Sequence, residues 1–356
     1  MGVGKKAISV IVCAYNGEKF VDRCLKSIMN QTIGVEKIEI ILVNDASTDK
    51  TLEKFREWEE QYPEDILVIT YEENKGAGGA RNIGLKYASG EYIGYVDCDD
   101  WIELTMYEEL YQKAVEYDCD VVRCKYSRDS VEGKQSLDNV TREDKFYDSA
   151  DFAETYPFWK KDLEVGKNGY YGSCWSGIYK RNILLEHNIY FAEKLYYEDN
   201  LWGELLKLYI KKMYIIDKVL YHYWFNTNST TMQRNNMRQL ERLTIELMIL
   251  DELKKRGVYQ GNEEIIERNF IKRFYLNTLH ILFERFDKIP NIFPMMREIV
   301  LKNFPYYKNN KYLFGDPIWC MLLQLLEYEP ACTVEELELV KEKYLESYKY
   351  SVAEKS

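Results

Sequence analysis

Asp97-Cys98-Asp99-Asp100 are the residues of this chain whose types and spacing most directly suggest chemistry. They follow Tyr92-Ile93-Gly94-Tyr95-Val96, an apolar run that reads as a buried strand. Carboxylates at the carboxyl end of such a strand sit at the edge of an α/β sheet, where ligands bind. Two of them at i and i+2 suit a hard divalent cation and the ribose-diphosphate it holds. An isolated D-x-D also describes a solvated acidic turn, so the flanking segments decide its meaning. Just upstream is a glycine-rich stretch, Lys75-Gly76-Ala77-Gly78-Gly79, followed by Arg81. It is not a phosphate-binding P-loop, because Gly-x-x-x-x-Gly-Lys-Ser/Thr is absent. It is not a dinucleotide fingerprint either, because Arg81 stands where the third glycine belongs. What remains is a loop whose backbone can approach a ligand closely at Gly76, with Arg81 in the first turn of the next helix. The Arg81 guanidinium either reaches a base or diphosphate or makes a surface ion pair.

These residues need a scaffold, and the first 125 residues supply an alternation of strand and helix. Strands are expected at Ile8–Ala14, Lys37–Asn44, Ile66–Tyr71, the run before Asp97, and Asp120–Cys124. Helices are expected at Glu18–Met29, Asp49–Tyr62 (with Ser47 and Thr48 as capping candidates), Ala80–Ala88 and Leu104–Tyr117. Strands recurring every ~25 to 30 residues with helices between them imply a mostly parallel, doubly wound sheet. The loops carrying Tyr15-Asn16, Asn44-Asp45-Ala46-Ser47 and Asp97–Asp100 then converge on one crevice. Asp45 either accepts from a base or ribose donor or joins Ser47 in an Asx turn and helix cap.

With 356 residues the chain is too long for one ordinary domain. A net charge of -11 argues against a nucleic-acid binder, although a bound cation can still bring in a phosphate-bearing ligand. No run is long and apolar enough to span a bilayer. The start, Met1–Lys6, leads into a strand and has no signal-peptide core. Eight scattered cysteines without a C-x-x-C pair read as reduced, mostly buried thiols of a cytoplasmic protein.

Four stretches, taken in order, resemble the family 2 glycosyltransferases. They are ISVIVCAYNGEKFVDRCLKSIMNQT, IEIILVNDASTDKT, NKGAGGARNIGLKYASGEYIGYVDCDDW and YYEDNLW. The resemblance implies the GT-A fold, a Rossmann-like twisted sheet with helices on both faces. It divides the chain into a nucleotide-sugar-binding half at 1–125 and an acceptor-binding half at 126–232, with a helical module at 233–356. It places the nucleotide base at Ala14, Tyr15 and Asn16, uracil at Asp45, and the nucleotide border at Arg81. Asp97 faces ribose, Asp99 binds the cation (Mn2+ or Mg2+), and Asp100 holds the donor sugar or orders the loop. Glu198-Asp199 supplies the general base, Asp199 being the base and Glu198 its neighbour. Acidic residues also favour a helix N-terminus, so a capping role for this pair stays open.

The implied reaction is coherent on its own terms. A departing diphosphate is stabilised by a cation in place of a proton donor. A hydroxyl acceptor needs a base within hydrogen-bond reach. One carboxylate with no second nucleophile gives inversion. The implied partners are a UDP-sugar donor and a glycan, teichoic-acid or lipid-linked acceptor, with synthesis at the cytoplasmic face of a membrane. Two departures from the family stand out: Gly177 where a lysine is usual, and Trp224-Phe225 where a basic residue is. Arg234 is a candidate to replace the second charge. His222 is either a metal ligand or a packed strand residue.

Ser127–Asp151 is polar and without period, and reads as a loop or variable insertion. From Asn236 onward the spacing is helical. That module is either a packing and dimerisation cap or a membrane-docking element using Tyr306, Tyr307, Lys308, Lys311, Tyr312 and Phe314. Two other functions compete. A sugar-nucleotide nucleotidyltransferase would carry a glycine-rich basic loop directly after the first strand, where this chain has Ala14-Tyr15-Asn16-Gly17-Glu18. A non-catalytic glycan-binding relative would be expected to lack Asp99 or the acidic pair.

Overall fold

A computed structural model describes residues 6–130, 136–138, 144–148, 173–225 and 233–353. The chain divides into two compact units, Met1–Asn226 and Thr227–Ser356.

The first unit is built on one sheet. Its strands are β1 Ile8–Ala14, β2 Ile38–Asn44, β3 Ile66–Thr70, β4 Tyr92–Asp97, β5 Trp101–Ile102, β6 Val121–Asp129, β7 Ser136–Asp138, β8 Lys145–Asp148, β9 Gly177–Lys180 and β10 Lys212–Trp224. The order across the sheet is β3-β2-β1-β4-β9-β6-β10-β5, with β7 added to β6 and β8 to β10. β1, β2, β3 and β4 run parallel, as do β6 and β10, while β9 is antiparallel to both neighbours. Parallel strands covered on both faces need continuous apolar runs, and β1 and β2 supply them: only Cys13 and Glu39 escape full burial. The register pairs Ala14 with Asn44 and Cys13 with Asp97, so the carboxyl ends of β1, β2 and β4 finish level. The strand order reverses between β1 and β4, and that switch point opens the crevice.

Helices cover both faces. α1 (Val21–Met29), α2 (Thr51–Gln61) and α4 (Met106–Glu116) lie over one. α1 buries Val21, Cys24, Leu25 and Ile28, one helical stripe. α3 (Gly76–Tyr87) and α6 (Glu198–Lys207) lie over the other, with the short α5 (Arg181–Glu186) preceding α6. There Trp202 of α6 meets Tyr95 of β4 at 5.9 Å and Tyr179 of β9 at 4.7 Å, edge to face in both cases. The eight cysteines are free thiols, six of them buried.

Three local expectations change. The glycine stretch is not a loop: α3 begins at Gly76. Glycine is a poor helix former, but here tertiary contact overrides propensity. A Cβ on Gly78 would lie 2.2 Å from the Ala192 carbonyl oxygen, so only glycine lets α3 approach that backbone. Neither Ser47 nor Thr48 caps α2; Asp49 accepts from the Thr51 N–H at 3.0 Å instead. The segment 127–151 contains strand: β6 runs on to Asp129, β7 pairs with it and β8 pairs with β10. Unpaired backbone groups at a sheet margin take strand partners whatever the side-chain period. The remainder of that segment, residues 151–172, and Ser229, Thr230 and Thr231 lie outside the described residues.

The second unit is helical: α7 Glu241–Lys255, α8 Glu263–Phe270, a π-helical turn Ile271–Leu276 leading into α9 Asn277–Arg285, α10 Phe293–Asn303, α11 Pro317–Gln324 and α12 Val334–Ala353. Phe270, Phe274, Leu279, Leu282 and Phe283 are buried. Asp316 caps α11 through the Ile318 N–H at 2.8 Å. Thr333 and Glu336 form a reciprocal capping box at the start of α12. Arg234 pairs with Asp287 at 2.7 Å inside this unit. In the basic-aromatic cluster, Tyr307 is buried, Lys308 pairs with Glu327 at 3.0 Å and Lys311 with Glu264 at 3.3 Å. Its lysine charges are thus matched within the protein. Among the described residues no helix is long and apolar enough to cross a membrane.

Candidate active site

The loops after β1 and β2 are bound to each other. Asn16 holds φ +55°, its N–H donates to Ser47 Oγ at 3.0 Å, and its side-chain oxygen accepts from the Thr48 N–H at 2.8 Å. This leaves Tyr15 exposed at the rim and Ala14 buried beneath it. Asp45 is buried and turns toward β3: Tyr71 Oη and the Lys75 N–H both donate to its Oδ1, at 2.8 and 2.7 Å. The Asx turn forms at Asn44 instead, which accepts from the Ser47 N–H at 3.4 Å. Burial and the hydrogen bond to Asp45 push the Tyr71 phenol well up, so it stays a donor. Gly76 opens α3 at φ +73° against the backbone of Lys194.

Arg81 is the centre of the arrangement. It is 5% exposed, so its ion pairs are not surface pairs. Nη2 donates to Asp97 Oδ1 at 2.7 Å and Nη1 to Glu198 Oε1 at 2.6 Å, while Phe191 covers the guanidinium at 5.3 Å. One fork therefore joins the end of β4 to the start of α6. The residue before α6, Tyr197, is held at φ +65°, a left-handed conformation that is uncommon for a bulky side chain. Asp199 follows Glu198 on α6. Burial, then the negative charges of Glu198 and Asp97, raise its pKa to about 7, against the opposing pull of Arg81. A carboxylate tuned to that range suits proton abstraction near neutral pH.

Asp97–Asp100 divide into outward and inward groups. Asp99 is exposed as a residue, and among the described residues its carboxylate accepts only from its own backbone N–H. Desolvation by the surrounding loop and then the charge of Asp97 push its pKa to about 6. Asp100 is fully buried and accepts from Tyr221 Oη and, at 2.7 Å, from the Trp224 N–H. Burial, then the charges of Asp99 and Asp97, drive its pKa far up. Of its two expected roles, this geometry supports ordering the loop rather than holding a sugar. His222 is also turned inward: Nδ1 lies 2.8 Å from Asp129 and Nε2 2.8 Å from Glu103, with the ring stacked on Trp101. Both ring nitrogens face protein carboxylates, which leaves neither for a metal.

Among the described residues no group of three or more His, Cys, Asp or Glu side chains is placed to hold a metal ion. Asp97 and Asp99 are two oxygen donors. An ion that keeps waters and substrate phosphates in its shell needs no more, and the Asp99 carboxylate, which makes no ion pair among the described residues, fits such an ion.

Nothing in the spacing marks Arg23, Tyr71 or Tyr221. Arg23 lies over Trp101 at 4.1 Å and Trp224 at 4.9 Å and donates to the Asp99 carbonyl. Tyr221 accepts from the Asp97 N–H at 3.2 Å and donates to Asp100. The one available signal was the aromatic density of Tyr221-His222-Tyr223-Trp224. Gly177 has no room for the lysine usual in the family, since a Cβ there would lie 3.0 Å from Cγ of Arg123 and 2.5 Å from the Val122 carbonyl oxygen.

Known proteins resemble the chain in family and in fold. The family described as Glycosyl transferase family 2 matches residues 9–184. The chain is 28% identical to the uncharacterized glycosyltransferase YibD of Escherichia coli K12 over 82% of its own length and 83% of YibD. It is 30% identical to the minor teichoic acid biosynthesis protein GgaB of Bacillus subtilis over 69% of its length, but spans only 29% of GgaB. The crystal structure of S. aureus TarS residues 1–349 superposes with a TM-score of 0.69 at 22% identity, covering 96% of this chain and 92% of that one, a likeness of fold. TarS has also been solved with UDP-GlcNAc, and that complex superposes with a TM-score of 0.64.

Proposed function

The chain belongs to glycosyl transferase family 2 and has its GT-A fold, and from that premise we propose that it is an inverting transferase using a UDP-sugar donor and a hydroxyl acceptor of a teichoic-acid, glycan or lipid-linked chain. The observation that carries this reading is the Arg81 fork. By holding Asp97 and Glu198 on one guanidinium, it brings the donor end of β4 and the acidic pair of α6 into one cluster. Ala14, Tyr15, Asn16 and Asp45 line the nucleotide side, beside Gly76 at the start of α3. Asp99, with Asp97 beside it, would hold a divalent cation whose charge stabilises the departing diphosphate. Asp199 takes the proton from the incoming hydroxyl. Glu198, paired with Arg81, stands beside Asp199, and its charge helps hold the Asp199 carboxyl up. Arg81 also keeps the ribose-facing carboxylate of Asp97 in place. With Asp199 acting as base rather than as nucleophile, the sugar is displaced once, with inversion. The preference for UDP and for a teichoic-acid acceptor is supported by what TarS and GgaB are named for, and the choice of sugar follows from neither.

The test is release of nucleoside diphosphate from UDP-, GDP- and CDP-sugars with and without Mn2+. UDP release that depends on the metal and disappears in Asp99→Asn is the expected result. Release that ignores both the metal and Asp99 would overturn the assignment.

A further inference from the structure

The second half of the sheet buries a cation for which the proposed reaction has no use. Arg123, on β6, is 5% exposed. Its Nη2 donates to the Ser173 carbonyl oxygen at 2.6 Å, to Ser173 Oγ at 3.0 Å and to Ser176 Oγ at 2.7 Å. All three acceptors are neutral. Nε is buried without a partner, and the hydrogen bonds of the guanidinium among the described residues go to serine oxygens, not to a carboxylate. Leaving a buried charge uncompensated is strongly destabilising. A ligand that supplies the missing charge would offset that cost. The sequence also makes space for it: Gly177 pairs with Arg123 across β9 and β6, and any side chain at 177 would strike the arginine stem.

Position and charge identify the ligand. The donor end of the crevice is formed by β1, β2 and β4, whereas Arg123 lies two strands beyond β4, past β9. At ~4.8 Å per strand that is about 10 Å farther along the sheet, on the acceptor side. The group is still near the reacting centre. The loop Ser173–Ser176 that Nη2 grips carries Cys174, whose thiol feels Arg81, Asp97, Asp199 and Glu198. Tyr179 lies within electrostatic reach of both Arg123 and Asp199. Asp97, Asp99, Glu198 and Asp199 would together repel an anionic acceptor, and Arg81 is already taken by two of them. We propose that Arg123 anchors a phosphodiester of the acceptor chain, one repeat away from the hydroxyl that attacks. Nη2 is taken by the serines and Nε is buried, so Nη1 is the group that remains to donate to a phosphate oxygen. The identification of the ligand as an acceptor rests on the glycosyltransferase reading; the anion site itself does not.

The experiment uses the full chain and a short ribitol-phosphate oligomer, with free ribitol as the neutral control, by titration calorimetry without donor. UDP binding is measured on the same samples. The wild type is expected to bind the oligomer in a salt-sensitive manner and to ignore ribitol. Arg123→Gln should weaken oligomer binding at least ~tenfold and leave UDP binding unchanged. Ser176→Ala, which keeps the charge but loosens the guanidinium, should weaken it severalfold and decides the matter if Arg123→Gln does not fold. Oligomer affinity unchanged in a variant that still binds UDP would overturn the anchor, as would a wild type that does not bind the oligomer. A wild type that binds the oligomer but no UDP-sugar would sink the donor assignment and leave the anion site standing.

Discussion

Replacing Asp199 with Asn distinguishes a catalytic base from a helix-capping residue by the sign of its effect on stability. If Asp199 serves α6 as an N-terminal carboxylate, Asn removes a favourable dipole interaction of ~0.3–1 kcal/mol and the protein becomes less stable. If burial and Glu198 hold its pKa near the value of about 7, the charged form is the disfavoured one. An unfolded aspartate titrates near ~3.9, so a rise of ~3 units is worth at most ~4 kcal/mol against the fold above neutral pH. The sign follows from proton binding. Between the unfolded and folded pKa values the native state binds the extra proton, so stability falls as pH rises through this window and is lowest above it. Asp199 is partly exposed, and water at the carboxylate reduces the gain for Asn to ~2 kcal/mol. At about 2–4 °C per kcal/mol, Asp199→Asn should melt ~4–8 °C higher than wild type at about pH 8. Near pH 5, where the native carboxyl is protonated, most of that difference should vanish. The assay is a melting curve of both proteins in matched buffers with chelator present, alongside UDP release, which the variant should have lost. A variant that melts lower at both pH values, or a gap that does not change with pH, would refute the argument and leave the capping role.

Three further outcomes follow from the same cluster. Metal-dependent UDP release should fall about tenfold per pH unit below the Asp199 pKa of about 7 and level off above it; a rate independent of pH across that limb contradicts Asp199 as base. Arg81→Gln leaves Asp97 and Glu198 without their shared cation, and should lower stability in urea by ~3 kcal/mol, part of it regained on adding Glu198→Gln. His222→Phe preserves a ring for the Trp101 stack but strands Asp129 and Glu103, so it should lower the melting temperature while Mn2+ affinity, measured by titration, stays within ~twofold of wild type; a large loss of metal binding would return His222 to the ligand shell.

The parts of the fold legible in the sequence are those set by local apolar pattern. β1, β2 and β4 are continuous apolar runs because both faces of the sheet are covered. α1 and α4 follow the helical stripe. What was not legible depends on partners distant in the chain. Gly76–Gly79 reads as a turn by propensity, but it is helix because Gly78 lies against Ala192, more than a hundred positions away. β7 and β8 carry no period of their own and are held by backbone pairing to β6 and β10. His222 between tyrosines gives no hint of Asp129 and Glu103 at its two nitrogens. Arg123 appears in the sequence as one of several polar residues of β6, and only its burial without a counter-charge sets it apart.

The division of labour among the acidic residues is likewise invisible until Arg81 is placed, because its two partners are 16 and 117 positions away. A guanidinium fork can neutralise two carboxylates. In this cluster it takes Asp97 and Glu198, and each of these is the first member of an acidic group. Their companions Asp99 and Asp199 make no ion pair among the described residues, and their pKa values are pushed up to about 6 and about 7. The physical causes are the same, burial plus a like charge, but the exposures differ. Asp99 opens to solvent, where a hydrated ion can reach it. Asp199 is partly enclosed on α6, where a hydroxyl can displace its water. Arg81 thereby sorts four similar carboxylates into two that hold the frame and two that can act. Removing it should blur that distinction before it unfolds the protein.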